Sequence, residues 1–326
     1  MDASQIITYL GEDWGRMKEL MEEALSSDIG LLEKVNRRLL DRGGKMLRPA
    51  VGLLMARACS GGVTNEDTLR FAAASQMLHN ATLLHDDVVD RGQVRRGEPT
   101  VSSVLGDTPS VLIGDFWLVK AVDLILRSTI STHDVISLFA ATLSRLAEGE
   151  MLQLQKAGAC DTSMADYLRI IYSKTASLFE TACVSAAMSV DAPRPMLDAA
   201  KEYGICLGLA FQIRDDILDY DGKDLGKPTG VDLRERKITL PLLGALSAVD
   251  DERNHLVRRM LCDIDAHPEY CERITDFVHS EGGVAFAEEK LEEFARRAVE
   301  ALSPLPPSRD KELLVLLAQA NATRDR

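Results

Sequence analysis

The sequence predicts an all-α protein, a helical bundle in a single domain. Three observations lead there. Apolar residues recur at helical intervals almost throughout, and the breaks between those stretches hold glycine or proline. β-branched alternating runs bounded by turns are absent. The 326 residues are 46% hydrophobic, ample for a packed core, and no Pro/Gly/Ser-rich linker interrupts the middle. Residues 1–326 are therefore read as one domain, although a length prior alone would allow two.

The helical stretches run over about 3–25, 29–40, 49–59, 66–90, 109–127, 133–157, 164–190 and 194–220. After a loop they resume over 238–247, 252–263, 268–281, 283–302 and 309–322. The stretch from Glu66 to Asp90 shows the pattern well: Leu69, Ala73, Met77, Leu84 and Val88 recur at helical spacing. Gly43-Gly44, Gly61-Gly62, Gly97 with Pro99, Pro193 with Pro195, and Pro228 with Gly230 supply the stops. A bundle of this kind can build sites between facing helices.

Charge narrows the partners. A net charge of −13 and a pI near 5.0 disfavour nucleic acid or an anionic membrane as the main partner. Six scattered cysteines lack metal-ligand spacing and fit a reduced, cytoplasmic protein. The start MDASQIITYLGEDW lacks the basic and apolar regions of a secretory signal, and no apolar run reaches the roughly 18 residues of a membrane span.

Two aspartate clusters carry the chemistry. Asp86, Asp87 and Asp90 lie in LLHDDVVD near the end of a long helix. Spacings of three and four put them on one helix face, roughly 5–6 Å apart at Cβ. They repel one another and meet the negative end of the helix dipole, a double penalty that a hard divalent cation would relieve. One such cluster could equally be a solvated acidic helix end. Asp215, Asp216 and Asp219 in FQIRDDILDY repeat the spacing after another apolar helix, which favours two carboxylate sets serving a multi-metal diphosphate site.

Cations stand where a polyanion would need them. Lys45 and Arg48 sit in GGKMLRP, Arg95 and Arg96 follow the first cluster, and Lys227 and Lys237 follow the second in GKPTGVDLRERK. Arginine grips phosphate with a planar fork and lysine supplies a point charge. Each alone reads as a surface cation; their association with glycine turns and aspartates points to anion binding.

With these residues in view the chain resembles the trans-isoprenyl diphosphate (polyprenyl) synthases, most of all the long-chain, octaprenyl type. GGKMLRP, LHNATLLHDDVVD, RRGEPT, GDFW, EGEMLQL, YSKTASLF, FQIRDDILDY and GKPTGVDLRERKITLPLL match that family's motifs in order over about 40–245. The resemblance implies a helical bundle of the isoprenoid synthase type around a central cavity. It implies a transferase condensing an allylic diphosphate, such as farnesyl diphosphate, with isopentenyl diphosphate, and three Mg²⁺ per active site when substrate is bound. Asp86, Asp90 and Asp215 would hold Mg²⁺, with Asp87, Asp216 and Asp219 in the first or second layer around it. Arg95, Lys174, Lys227 and Lys237 would contact the allylic diphosphate. Lys45, Arg48, His79 and Arg96 would bind isopentenyl diphosphate, and Thr175 and Gln212 would line the reacting region. A homodimer is implied too, with peripheral membrane association conceivable for product release. Arg236 departs from the pattern, since related enzymes often have glycine there, which puts the local loop geometry in question. His85 reads as structural.

Product length is expected to depend on the residues upstream of Asp86. Ala81 and Thr82 are small, where short-chain animal-type enzymes of the resembling family carry bulky aromatics, and DDVVD lacks the bacterial short-chain insertion. Leu78 and Ala74 lie another turn or two down, with Phe139 and Trp117 as floor candidates. A product of about C30–C50 follows by family analogy. The near rival is a medium-chain geranylgeranyl diphosphate synthase. A terpene cyclase typically lacks the second aspartate cluster and GGKMLRP, and a non-catalytic subunit tends to lose the charged residues present here.

Overall fold

The computed structural model describes residues 3–41, 44–95, 97–130, 132–220 and 230–323. In chain order the helices are α1 (Ala3–Leu25), α2 (Gly30–Asp41), α3 (Leu47–Ser60), α4 (Glu66–Val89), α5 (Val101–Leu105), α6 (Asp107–Leu126) and α7 (Thr132–Ala159). Next come α8 (Met164–Ile171), a π-helical turn over Tyr172–Ala176, α9 (Ser177–Ser189), α10 (Arg194–Leu218) and α11 (Val231–Arg234). The C-terminal part holds α12 (Leu240–Ser247), α13 (Asp251–Cys262), α14 (Tyr270–Ser280), α15 (Gly283–Ala301) and α16 (Arg309–Thr323). The all-α expectation holds, and the long stretches match within a few residues. Among the described residues the one ladder is a two-residue hairpin, β1 (Val94–Arg95) with β2 (Glu98–Pro99), Val94 opposite Pro99. A ladder that short has no periodicity to read.

The chain divides into two compact units. The first takes residues 1–140, 181–201 and 302–314; the second takes 141–180, 202–301 and 315–326.

In the first unit, α4 starts cleanly because Asn65 and Thr68 form a capping box, each side chain accepting from the other's backbone N–H. Glu66 and Asp67 add negative charge at the positive end of the dipole. Asp67 is buried and accepts from the backbone and hydroxyl of Thr129 at 2.9 and 2.8 Å, which ties the turn after α6 to the start of α4. Phe71, Met77 and Leu78 of α4 join Leu53, Leu54, Trp117 and Phe139 in the core. The buried Asn36 is satisfied on both sides: its amide donates to Leu25 O at 2.7 Å, and its oxygen accepts from Trp117 Nε1 at 2.8 Å.

In the second unit, α10 lies against the segment containing the π turn. An added Cβ at Gly208 would stand 2.4 Å from Ala176 Cα, and one at Gly204 would stand 2.7 Å from Glu180 Cα. Only glycine allows backbones so close, and that contact fixes the register of the two segments.

Candidate active site

The second unit contains a small cavity, about 130 Å³, whose wall includes Gln153, Tyr167, Lys174, Gln212, Asp216, Asp232 and Lys237. Tyr167 comes from α8, Asp232 from α11 and Lys237 from the segment after it, and three further segments complete the site. α7 brings Gln153, the π turn brings Lys174 and Thr175, and α10 brings Gln212 and Asp216. π turns, single insertions in an α-helix, occur frequently at functional sites.

A chain of hydrogen bonds runs along the wall. Thr175 Oγ1 donates to Gln212 Oε1 at 2.7 Å, Gln212 Nε2 donates to Asp216 Oδ1 at 2.8 Å, and Tyr167 OH donates to Asp216 Oδ2 at 2.6 Å. Both oxygens of Asp216 are thus engaged by its own unit. Burial holds the Asp216 carboxyl well above the usual carboxylate range, and the neighbouring Asp232 adds to this against the pull of Tyr167 and Gln212. Burial and then Asp216 raise Tyr167, which keeps its proton as a donor. Asp219 has a different duty: its carboxylate accepts from the backbone N–H groups of Val231 at 3.2 Å and Asp232 at 3.0 Å, capping α11. Asp215 is exposed in the last turn of α10.

The first triplet divides in a similar way. Asp87 is buried and its Oδ1 accepts from Arg95 Nε at 2.7 Å, the arginine being carried back by the β1–β2 hairpin. Asp86 is half-buried and Asp90 exposed at the end of α4. His79, Thr82, Asp86 and Asp90 share one face of α4 by their spacing of three and four. Lys45 is exposed ahead of α3, and Arg48 is buried in its first turn. Arg96 and Lys227 lie outside the described residues.

Three of the basic residues expected from the sequence are paired with carboxylates nearby: Arg95 with Asp87, Lys174 with Glu150 at 2.5 Å, and Lys237 with Glu235. Arg236 stands at φ 56, the left-handed region that favours glycine, and its guanidinium pairs with Asp265. The loop therefore keeps the backbone form a glycine would adopt, with an ion pair against the strain.

Among the described residues no three His, Cys, Asp or Glu side chains converge into a closed cage for a metal ion. The donor set nonetheless fits a hard cation such as Mg²⁺, which keeps several waters and takes one or two carboxylates with substrate phosphate. In the first unit Asp86 is half-buried and Asp90 exposed at the end of α4, and in the second unit Asp215 is exposed in the last turn of α10, so these carboxylates keep the access to water that such an ion needs.

Burial, and then Asp219, push Asp232 up to about 7 against the pull of Lys237. A carboxyl whose folded pKa exceeds its unfolded value, about 4, favours the native state less and less as pH rises between the two. Without metal, Asp232→Asn should therefore melt near wild type at about pH 4 and several degrees above it at about pH 8. Thermal melts at both pH values check this.

Sequence reasoning missed Asp232, Tyr167, Glu150 and Gln153. All four lay in quoted motifs or beside them, but only folding shows which carboxylate or phenol turns inward. Near Asp86, Ala81 and Leu78 are buried, and Thr82 Oγ1 is spent on His79 O at 2.8 Å. Phe139 packs on Phe71 with ring centroids 6.1 Å apart, and Phe71 shares the Leu78 face of α4. Trp117 is committed to Asn36, and His85 Nε2 lies 3.3 Å from both Val111 O and Asp115 Oδ1 on α6.

Comparison with known proteins gives consistent results. A family model described as polyprenyl synthetase matches residues 30–278. The chain is 34% identical over 328 residues to octaprenyl diphosphate synthase of Escherichia coli (strain K12), covering 100% of both chains. It is 36% identical over 317 residues to the geranyl-diphosphate-specific all-trans-nonaprenyl-diphosphate synthase of Rhodobacter capsulatus, covering 96% and 95%. A crystal structure of a polyprenyl synthase from Caulobacter crescentus CB15, complexed with calcium and isoprenyl diphosphate, superposes with a TM-score of 0.90 at 32% identity over 100% and 98% of the two chains.

Proposed function

Because this chain belongs to the polyprenyl synthetase family, we propose that it elongates an allylic diphosphate with isopentenyl diphosphate into a long all-trans polyprenyl diphosphate. The observation that carries this reading is the division of labour within each aspartate triplet. One member is buried and held by its own unit, Asp87 by Arg95 and Asp216 by Tyr167 and Gln212, while Asp86, Asp90 and Asp215 retain exposure. Those three are the proposed Mg²⁺ ligands, Asp219 caps α11, and Asp87 and Asp216 orient what surrounds the ions.

Asp86, Asp90 and Asp215 would hold Mg²⁺, which when bound would supply charge neutralisation for the diphosphate leaving group. Arg95, Lys174 and Lys237 grip the allylic diphosphate and stabilise the charge that develops as the C–O bond ionises. Thr175 and Gln212, locked to each other, line the wall beside the allylic cation. Lys45, Arg48 and His79 hold the diphosphate of isopentenyl diphosphate, whose double bond attacks that cation. The adduct then loses a proton, for which the released pyrophosphate is the base.

Small Ala81 and the deeper Phe71–Phe139 pair support a long product, about C30–C50 by analogy with the octaprenyl and nonaprenyl relatives. Leu112, Val119 and Leu126, seven residues apart on α6, are all more than half exposed, and this apolar stripe supports a homodimer. No described helix is long and apolar enough to cross a membrane.

The test is to incubate the protein with Mg²⁺, labelled isopentenyl diphosphate and farnesyl diphosphate, and to size the products. The expected ladder ends near octaprenyl; a product arrested at geranylgeranyl would refute the long-chain assignment. Ala81→Phe should shorten the ladder by several units. Ala81 is 1% exposed, so the added ring also strains the core; a melting curve separates a blocked path from a damaged fold.

A further inference from the structure

Glu150 belongs to no role assigned so far, yet the fold delivers it to Lys174. α7 and the π turn meet at Gly149, where an added Cβ would stand 2.6 Å from Ser173 Cβ and 3.1 Å from Lys174 Cγ. Glycine is what permits that approach. The next residue, Glu150, then places Oε2 2.5 Å from Lys174 Nζ, and Gln153, three residues on along the same helix face, accepts from the same ammonium at 3.0 Å. Lys174 and Glu150 are about one-fifth exposed, so solvent screens the pair only partly.

Two opposite effects follow from this contact. The carboxylate helps to aim the ammonium into the cavity, and it also neutralises the charge that an incoming diphosphate needs. Aim is supplied redundantly, by Gln153 and by the close packing at Gly149. Neutralisation by direct contact comes from Glu150, with Asp232 acting on the same ammonium only through the cavity. Resting on the reading of Lys174 as a contact of the allylic diphosphate, we infer that Glu150 is a positioning residue that also competes with the diphosphate for Lys174. It thereby sets the affinity of the allylic site without touching the reacting atoms.

Glutamine at 150 would keep a hydrogen bond to Lys174 and remove the competing charge. Isothermal titration with inorganic pyrophosphate in the presence of Mg²⁺ should show Lys174→Gln weakening binding about tenfold or more. Glu150→Gln should tighten it about threefold to tenfold, the scale of one partly screened charge. In the Lys174→Gln background the same change should have less than about a twofold effect, because the competition has lost its object. In turnover, Glu150→Gln should lower KM for the allylic diphosphate and leave KM for isopentenyl diphosphate in place, a split that a purely structural role would not produce. If Lys174→Gln leaves affinity unchanged, the assignment of Lys174 fails and takes the inference with it. If Lys174→Gln weakens binding but Glu150→Gln does not tighten it, the inference alone fails. It also fails if the tightening persists undiminished without Lys174, since the effect would then be one of general charge.

Discussion

Asp86→Ala or Asp215→Ala should lower turnover by about a thousandfold or more while leaving the fold intact. The size follows from the charge each aspartate is proposed to help neutralise: metal-borne stabilisation of a departing pyrophosphate amounts to several kcal/mol, and about 4 kcal/mol is a factor of a thousand. Stability should move the other way. Both residues sit in the last turn of a helix among other carboxylates, facing the negative end of the dipole. Removing one relieves repulsion, so the metal-free variants should melt at or slightly above the wild-type temperature. Steady-state turnover with saturating Mg²⁺, paired with thermal melts without it, checks both halves. Near-normal turnover in either variant would sink the assignment of these residues. Asp216→Ala should behave differently, because it strips the acceptor from Tyr167 and Gln212 and leaves buried donors unpaired. Lost activity there should come with lost stability.

The second large effect is expected at Gly208, which is not among the residues lining the cavity. A methyl group there would stand 2.4 Å from Ala176 Cα and 2.8 Å from Ala176 Cβ, so backbone and not a flexible side chain must yield. Overpacking of this kind costs about 3 kcal/mol. The displacement falls between Thr175 and Gln212, whose 2.7 Å hydrogen bond spans the same two segments. Gly208→Ala should therefore lose stability and turnover together, read by denaturant melts and product formation. Gly15→Ala is the matched control: nothing lies within 4 Å of its added Cβ, and it sits inside α1. Alanine there should stabilise the protein by about 0.5–1 kcal/mol.

The helices were legible because apolar residues recur at helical spacing over many residues, as Leu69, Ala73, Met77 and Leu84 do in α4, although residues 71–78 of that helix are buried on every side. The aspartate triplets were legible too, since their three-and-four spacing is strange without a cation. What spacing left open was the rank within each triplet. Asp86 and Asp87 are adjacent and chemically identical, and only the return of the β1–β2 hairpin decides that Asp87 is the one bonded to Arg95. Asp232 was hidden for a similar reason. It stands among charged neighbours in GVDLRER and reads as a surface residue until Asp219 caps its amide and draws it into the cavity wall. The π turn had no signature either, because one extra residue does not disturb an apolar pattern that resumes immediately.

That turn makes the protein sensitive to chain length in a way unrelated to side-chain chemistry. An α-helix advances about 100° per residue, so the surplus residue within Tyr172–Ala176 rotates all of α9 relative to α8. Excising one residue would heal the helix into regular geometry and would look conservative by composition. It would also swing Lys174 or Thr175 by about 100° from Gln153 and Gln212, their present partners. The segment behaves as an angular spacer: its amino acids can vary within limits, whereas its residue count cannot.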